Sequence, residues 1–342
     1  MAFSQVIGQD RAIDILRGSM QRSRIASAYL FCGESGIGKK LVALNFAKAL
    51  NCLSGSREES PLLAGFDGLA PHAAAPGADG GAPVDACETC ASCEKINAGA
   101  HPDLLVIAPE ERQIRIDEIR MVDEALSFRP FEGRRRVVIV DEADTMNPAA
   151  SNAFLKTLEE PPSDSVIILV SSRPDRLLPT IRSRCSRVNF RTLSAADCAA
   201  VLRRAMQDAG VETAARLSMG RPGLAAAQDI AEDRDRFLGY FQAMLRAERD
   251  GWGSREEMER WFDHAAVLLR DLAALRTTGK KTVLINEDIA EQFGRMGKSV
   301  DLQGIIEIYQ ELLGLKGLLT FNPNKSITWN YAAALLRGRL TG

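Results

Sequence analysis

The chain has 342 residues, of which 46% are hydrophobic and 26% are charged, and its formal net charge at pH 7 is -2. This length is enough for two or three domains, and no apolar run approaches the roughly 18 residues of a membrane span. The near-neutral charge excludes a general attraction to nucleic acid, so a DNA contact would need a local basic patch. The first residues lack a basic and apolar signal segment, so we expect a cytoplasmic protein without a membrane partner.

The first part of the chain combines an amphipathic helix with a phosphate-binding loop. Apolar residues at helical spacing predict a helix within residues 3–27, and an apolar strand follows at residues 28–32. A glycine-rich loop and a helical segment come next, which is the order of a Walker A site. Such a loop aims backbone N–H groups and a lysine at phosphate. The predicted nucleotide-binding residues here are Gly33, Gly36, Gly38 and Lys39.

The last position of this loop departs from a complete Walker A motif. A Ser or Thr there supplies a hydroxyl ligand to Mg²⁺, whereas this chain has Lys40. A lysine side chain has no oxygen to offer, and its positive charge repels the metal. The sequence therefore predicts a degenerate nucleotide site, for which ATP and Mg²⁺ are doubtful cofactors.

The spacing of the cysteines predicts a metal site. Seven cysteines are present, and disulfides are rare in the cytoplasm. Three of them have the two-residue gaps that suit tetrahedral zinc: Cys87, Cys90 and Cys93. Cys52 is the simplest fourth ligand, and His72 and His101 are weaker candidates; a metal-free thiol cluster is the alternative. Four protein ligands would make the zinc structural. Residues 53–86, rich in Gly, Ala, Pro and Ser, are interpreted as a partly flexible surface insertion.

Alternating buried strands and helices from residue 103 onward, beginning with the apolar run 104–107, predict an α/β fold with a parallel sheet. The apolar run 137–140 ends in Asp141 and Glu142, which is the pattern of a Walker B strand. Asp141 would hold Mg²⁺ through water, and Glu142 would polarise the attacking water. An ordinary buried strand with a polar end is the alternative, but the preceding phosphate loop favours the functional interpretation.

A short helix and a further strand follow. Asn147 and the proline after it predict the start of a helix over residues 148–160, because Asn caps helices and Pro suits their first turn. The next buried strand, residues 166–170, ends in Ser171 and Ser172. Their hydroxyls would either contact a terminal phosphate or cap a turn.

The strand pattern stops after Phe190, and the rest of the chain is predicted to be helical. Residues 191–230 contain short helical segments, and residues 231–342 contain longer amphipathic helices. We therefore predict three regions: an α/β domain over 1–190 with a zinc module at 52–93, and two helical domains.

Three features occur together in this sequence: the run Ala153–Pro162, the triplet Ser183-Arg184-Cys185 and the four-thiol pattern on a phosphate-loop scaffold. Together they resemble the subunits of the bacterial DNA polymerase III clamp loader, an AAA+ family, and most of all the delta-prime subunits. The resemblance implies that the three regions are an AAA+ domain, a helical lid and a C-terminal collar. It also implies a hetero-pentameric ring with gamma/tau and delta subunits that loads the sliding clamp onto primer-template DNA.

The gamma/tau ATPase subunits share these motifs, so the functional prediction rests on the positions at which this sequence differs from those subunits. Lys40 replaces the metal-binding hydroxyl, and Gly223 stands where the resemblance places a lid arginine, with Arg221 two positions away. The resemblance implies a polymerase holoenzyme subunit without ATPase activity of its own. Arg184 would serve as an arginine finger for a neighbouring subunit's ATP, unless it is a surface arginine. The alternatives are an active gamma/tau-type ATPase and a DNA-binding zinc protein with a vestigial loop.

Overall fold

The computed structural model divides the chain into two compact units, Met1–Asp197 (unit 1) and Cys198–Gly342 (unit 2). The residues it describes are 2–55, 85–110, 113–206, 210–227, 230–248, 251–281, 284–291 and 300–340. Most of the predicted insertion, including His72, lies outside these ranges. None of the helices within them combines the length and the apolar character that a bilayer crossing requires.

Unit 1 is built on a parallel sheet. Its strands are β1 (Ala28–Cys32), β2 (Leu104–Ile107), β3 (Arg136–Val140), β4 (Ser165–Ser171) and β5 (Ser186–Asn189). The order across the sheet is β2-β3-β4-β1-β5, and all pairings are parallel. Residues of β1 and β4 are buried throughout, as expected when helices cover both faces of a sheet. The predicted α/β class is confirmed.

β5 is a strand that the sequence pattern does not predict. It lies at the edge of the sheet beside β1, and Val188 is the buried residue among its four. An edge strand needs only one apolar position to pack against the core, so its sequence Ser-Arg-Val-Asn carries no alternation that could be recognised.

The helices of unit 1 lie before, between and after the strands of the sheet in the chain. They are α1 (Asp10–Gln21), α2 (Lys39–Asn51), α3 (Ala91–Asn97), α4 (Ile116–Ser127), α5 (Pro148–Glu159), α6 (Pro179–Arg184) and α7 (Ala195–Leu202), which continues into unit 2. α5 starts as predicted, because the Asn147 side chain accepts a hydrogen bond from the Ala150 N–H and Pro148 occupies the first turn.

The register of the sheet brings the two predicted nucleotide motifs to the same edge. In the pairing of β1 with β4, Cys32 lies beside Ser171, and in the pairing of β3 with β4, Val140 lies beside Leu169. The phosphate loop follows β1 directly, and Asp141 follows β3. Both therefore emerge at the carboxyl ends of the strands, where open α/β sheets bind ligands.

A buried carboxylate fixes the chain that leads into β3. Asp103 is fully buried, and its Oδ1 lies 3.0 Å from Nη2 of Arg136, the first residue of β3. Burial opposes ionisation of Asp103, but hydrogen bonds and the guanidinium outweigh it and lower the pKa. The backbone N–H donors to Asp103 are Phe131, Glu132 and Gly133. The strand that Asp141 follows is thus held at its beginning.

The described part of unit 2 is helical. Its further helices are α8 (Val211–Leu217), α9 (Pro222–Ala227), α10 (Ile230–Leu245), α11 (Arg255–Thr278), α12 (Leu302–Leu318) and α13 (Lys325–Leu340). Its core contains three buried tryptophans, Trp252, Trp261 and Trp329. The two-unit division does not separate residues 191–230 from 231–342, so the predicted lid and collar stay predictions.

Replacing Asp103 by Asn should destabilise the start of β3. The amide keeps the shape of the carboxylate but loses its charge and turns an N–H₂ group toward the donors, a loss of about 3 kcal/mol for a buried hydrogen-bonded charge. We expect the β3 amides to exchange about 100-fold faster at neutral pH. Hydrogen exchange followed by mass spectrometry on β3 peptides measures this change.

The pH dependence and a surface variant provide the controls. Because the pKa of Asp103 is lowered by folding, its stabilising effect is present above the unfolded-state pKa and is lost as the pH falls through the folded-state pKa. The difference between wild type and variant should therefore shrink on acidification. Asp117→Asn, on the exposed side of α4, should leave β3 unchanged, and tryptophan fluorescence should show unit 2 still folded. Equal exchange in the two variants at neutral pH would contradict the anchoring role.

Candidate functional site

The loop between β1 and α2 has the backbone conformation of a phosphate-binding loop. Its glycines, Gly33, Gly36 and Gly38, have φ angles of 151°, 79° and 95°. A Cβ on Gly33 would lie 2.8 Å from the Phe190 carbonyl oxygen, so a side chain is excluded there. The Lys39 Nζ donates to the carbonyls of Gly33 and Glu34 at 2.7 and 2.5 Å, which folds the side chain across the loop. Burial lowers the pKa of Lys39, against the attraction of nearby carboxylates.

Lys40 contacts the Walker B carboxylate directly. Its Nζ lies 3.1 Å from Oδ2 of Asp141, with side-chain exposures of 46% and 19% respectively. The position from which a hydroxyl would hold Mg²⁺ thus carries an ammonium group, and the carboxylate that would face the metal already has a cationic partner. These residues fit the phosphate groups of a nucleotide but do not fit Mg²⁺, because both expected ligand positions are lost.

A hydrogen-bond network lies next to Asp141. The Asp144 carboxylate accepts from the Ser171 hydroxyl at 2.7 Å and from the Ser172 N–H at 3.2 Å, and it pairs with Nε of Arg173 at 3.1 Å. Burial disfavours its ionised form, but these donors outweigh burial and lower the pKa of Asp144. The Ser171 hydroxyl, one of the two candidates for contact with a terminal phosphate, therefore has a partner within the protein and links β4 to the Walker B segment.

Gln9 supports the far side of the loop, a role that the sequence analysis missed. It is buried, and its amide donates to the carbonyls of Ile37 and Arg191 at 3.2 and 2.7 Å while its Oε1 accepts from the Arg191 N–H. These partners are 28 and 182 residues away in sequence. No local pattern connects them, so a single sequence gives no signal for this contact.

The structure brings all four predicted zinc ligands together. The sulfur atoms of Cys52, Cys87, Cys90 and Cys93 lie within 4.8 Å of one another. The N–H of Cys87 donates to the Cys52 sulfur at 3.4 Å, and the N–H of Cys90 donates to the Cys87 sulfur at 3.3 Å. Burial opposes thiolate formation, but hydrogen bonds, first that of Ser54, lower the pKa of Cys87 to about 5. A cluster of thiols with such donors fits a tetrahedral soft metal ion.

His101, a weaker candidate for the fourth ligand, has other partners. Its Nε2 lies 3.1 Å from the Ser92 hydroxyl, and its Nδ1 accepts from the Asp103 N–H at 3.1 Å. Burial lowers the pKa of His101, which favours the neutral ring that these contacts need. Both ring nitrogens are thus used within the protein fold. The other candidate, His72, lies outside the described residues.

Helix α2 joins the phosphate loop to the thiol cluster. Lys39 and Lys40 form its first turn, and Cys52 follows its last residue. The buried Lys48, midway along the helix, pairs with Glu88 of the cysteine segment at 2.6 Å and donates to Asn97 of α3 at 3.0 Å. The cluster therefore anchors the carboxyl end of α2, and the amino end of the same helix follows the phosphate loop.

Arg184 is the last residue of α6 and forms an ion pair with Glu159, which belongs to the run Ala153–Pro162. Its Nη2 lies 2.6 Å from Oε1 of Glu159, and its Nη1 donates to the Thr180 carbonyl at 3.0 Å. The neighbouring Arg182 pairs with Asp175 instead. The Arg184 side chain is 35% exposed, whereas burial raises the pKa of Cys185, the next residue, to about 12. The triplet therefore combines a partly buried thiol with an arginine that is accessible at the surface.

The two candidate positions for a lid arginine, Arg221 and Gly223, belong to unit 2. Gly223 lies in the first turn of α9, and the Arg221 guanidinium donates to the Ser218 carbonyl at 3.4 Å. These contacts are local, so the displacement of the lid arginine stays a prediction.

Comparison with known proteins shows the family of the chain. A sequence profile described as "DNA polymerase III, delta subunit" matches residues 8–62 and 77–194. The delta-prime subunit of Bacillus subtilis (strain 168) is 27% identical over 333 residues, which cover 92% of each chain. The chain belongs to the delta-prime subunits of DNA polymerase III. The predicted membership of the DNA polymerase III subunits is confirmed.

Two further relatives show how the similarity is distributed. The Pseudomonas aeruginosa PAO1 delta-prime subunit is 34% identical over 233 residues, which cover 66% of this chain and 63% of that protein. The tau subunit of Bacillus subtilis (strain 168) is 33% identical over 193 residues, which cover 56% of this chain and 29% of tau. Over the matched segments, this chain is therefore about as similar to a tau subunit as to the Pseudomonas aeruginosa delta-prime subunit.

Proposed function

We propose that this delta-prime subunit joins gamma/tau and delta subunits in a hetero-pentameric clamp loader and helps to load the sliding clamp onto primer-template DNA, without hydrolysing ATP itself. The observation that carries the proposal is the 3.1 Å ion pair between Lys40 and Asp141. It lies where a hydrolysing site would need two metal ligands.

The ion pair opposes hydrolysis for an electrostatic reason. In phosphate-loop ATPases the metal bridges the β- and γ-phosphates, neutralises developing charge and is held by the loop hydroxyl and the Walker B carboxylate. Lys40 removes the first ligand and occupies the second. Glu142 can still face a water molecule, but a water-orienting residue contributes little when the phosphates are not positioned by a metal.

We assign to Arg184 the role of an arginine finger for the ATP of a neighbouring subunit. A guanidinium is permanently charged and presents a planar fork to phosphate oxygens. Arg184 ends a helix, is partly exposed, and is held by an ion pair with Glu159 that solvent can reach. An arginine in this setting can reach across an interface, whereas its own nucleotide site has Lys40 in place of the hydroxyl that would hold a catalytic metal.

We assign a structural zinc ion to Cys52, Cys87, Cys90 and Cys93. The mutual distances, the two-residue gaps and the N–H donors to sulfur support this donor set. With all four positions filled by protein, the ion would stabilise the segment and would not bind substrate.

An active ATPase of the gamma/tau type is the second candidate. The tau relative is 33% identical over the matched segment, and the Walker B pair, Asp141 and Glu142, is present. The Lys40 substitution is the feature that opposes this candidate.

The isolated protein should hydrolyse ATP far more slowly than about 1 s⁻¹, the lower end for phosphoryl-transfer enzymes. A steady-state assay with Mg²⁺ measures this, with a gamma/tau subunit as the positive control. Lys40→Thr should not restore full turnover, because Gly223 leaves the lid without its arginine. Turnover near 1 s⁻¹ that Lys39→Ala abolishes would favour the gamma/tau-type candidate, and strong rescue by Lys40→Thr would contradict the lid assignment.

The protein should purify with about one zinc ion per chain. Cys90→Ala should release the metal and accelerate hydrogen exchange in α3, because three thiolates bind zinc far more weakly than four. Cys185→Ala removes a thiol outside the cluster and should retain the zinc. Elemental analysis of protein prepared without chelators measures the content, and its absence from the wild type would refute the site. Zinc retained by Cys52→Ala would refute only the fourth ligand.

Arg184→Ala should leave the loader able to assemble but lower its clamp- and DNA-stimulated ATP hydrolysis and its rate of clamp loading. In other phosphate-loop systems a finger arginine contributes about 10³ to 10⁵ to the rate at its site. Arg184→Lys should fail to rescue, because a point charge lacks the planar fork. Arg182→Ala, which removes an arginine from the same helix, is the matched control.

These measurements use the reconstituted complex, with assembly followed by size-exclusion chromatography. A complex with Arg184→Ala that assembles and hydrolyses ATP at the normal stimulated rate would contradict the finger. If Arg182→Ala or Arg187→Ala lowered the rate in the same experiment, the role would belong to that residue instead.

A further inference from the structure

The anion-binding parts of the nucleotide site remain in place although its metal ligands are lost. The three loop glycines have positive φ angles, and the loop leads into α2, a helix of 13 residues. Lys39 is buried beneath the loop and is held there by two backbone carbonyls. A phosphate group on this loop would therefore meet N–H donors, the positive end of a helix and a lysine.

Lys40 adds a second cation at the same edge. Its ammonium has three N–H donors, one of which faces Asp141. The side chain is about half exposed, so the other donors are accessible from solvent. An ammonium that contacts the Walker B carboxylate on one side and phosphate oxygens on the other would make the bridge that a divalent cation makes in a hydrolysing site.

A divalent cation would compete poorly with this arrangement. Mg²⁺ requires close oxygen ligands in near-octahedral geometry, and Lys40 supplies none. A metal carried in with the nucleotide would also approach the Lys40 ammonium, and like charges at contact distance in a partly buried site repel each other. The site therefore favours the metal-free form of the nucleotide over its Mg²⁺ complex.

We infer that the phosphate loop binds a nucleoside diphosphate or triphosphate without a divalent cation, with the Lys40 ammonium in the place of Mg²⁺. The inference rests on the proposed non-hydrolysing function, since a nucleotide bound without metal would persist instead of turning over. It assigns Lys40 a positive role in binding, whereas the loss of hydrolysis requires only that the hydroxyl be absent.

Isothermal titration calorimetry with ADP and ATP tests this inference on the full-length protein. One buffer contains excess Mg²⁺, and the other is freed of divalent cations with a chelating resin before the protein is added, because a soluble chelator would extract zinc. We expect the wild type to bind both nucleotides in the metal-free buffer at least as tightly as with Mg²⁺. Titration with inorganic pyrophosphate distinguishes recognition of the nucleoside from recognition of phosphate alone.

Two variants of Lys40 separate its charge from its missing hydroxyl. Lys40→Thr should reverse the dependence, so that Mg²⁺ tightens binding by about 10-fold or more. Lys40→Met removes the cation and should weaken metal-free binding by about 10-fold. Lys156→Met, on the exposed side of α5, is the matched control and should bind as the wild type does. Circular dichroism and zinc content verify that each variant is folded.

Three results would overturn the inference: wild-type binding that requires Mg²⁺, a Lys40→Thr variant whose binding ignores Mg²⁺, or a wild type that binds neither nucleotide in either buffer. The proposed function is tested separately. A wild type that binds no nucleotide yet supports Arg184-dependent hydrolysis in the loader would refute only metal-free binding. A wild type that hydrolyses ATP would refute the non-hydrolysing role itself.

Discussion

The pairing of β4 with β1 on one side and with β3 on the other brings the phosphate loop close to Asp141. Parallel register places Cys32 beside Ser171 and Val140 beside Leu169, so the phosphate loop and Asp141 start from neighbouring strand ends. A side chain at the start of α2 can then reach the residue that follows β3. In a hydrolysing ATPase this proximity would let two oxygen ligands share a metal. Here the same geometry lets Lys40 form an ion pair with Asp141, and the sheet keeps its parallel register.

The position of α2 depends on contacts at both of its ends. Its amino end follows the phosphate loop, and at its carboxyl end the Asn51 side chain accepts hydrogen bonds from the backbone of Arg134 and Arg135 just before β3. The buried Lys48 is balanced by Glu88, which belongs to the segment of the thiol cluster. A buried ammonium is tolerated only with such a partner. The cysteine segment therefore has a physical role in this fold, since it holds the carboxylate that neutralises a charge inside unit 1.

The sequence predicts features whose signal lies within a few neighbouring residues, and it misses contacts between residues that are far apart in the chain. The apolar runs identify four of the strands, the glycine spacing identifies the phosphate loop, and the two-residue gaps identify the cysteines, because each signal lies within a few residues. β5 is not predicted, because Val188 is the buried residue of this edge strand and a single apolar position gives no recognisable pattern. The roles of Gln9 and Asp103 are not predicted, because their hydrogen-bond partners lie far away in the sequence. The Lys40 substitution is visible in the sequence, but its ion pair with Asp141 depends on the strand order, which no local signal specifies.

Two of the arginine–carboxylate pairs of unit 1, Arg136–Asp103 and Arg184–Glu159, differ in a way that bears on the proposed arginine finger. Arg136 and Asp103 are both largely buried, and separating them would leave an uncompensated charge, at a cost of about 3 to 5 kcal/mol. Arg184 and Glu159 are both substantially exposed, and a pair of this kind contributes about 1 kcal/mol or less. The first pair is therefore suited to holding a strand in place. The second can be exchanged for a phosphate at small cost, so in the proposed finger role Glu159 can orient Arg184 in the free subunit without preventing it from moving to a neighbour's nucleotide.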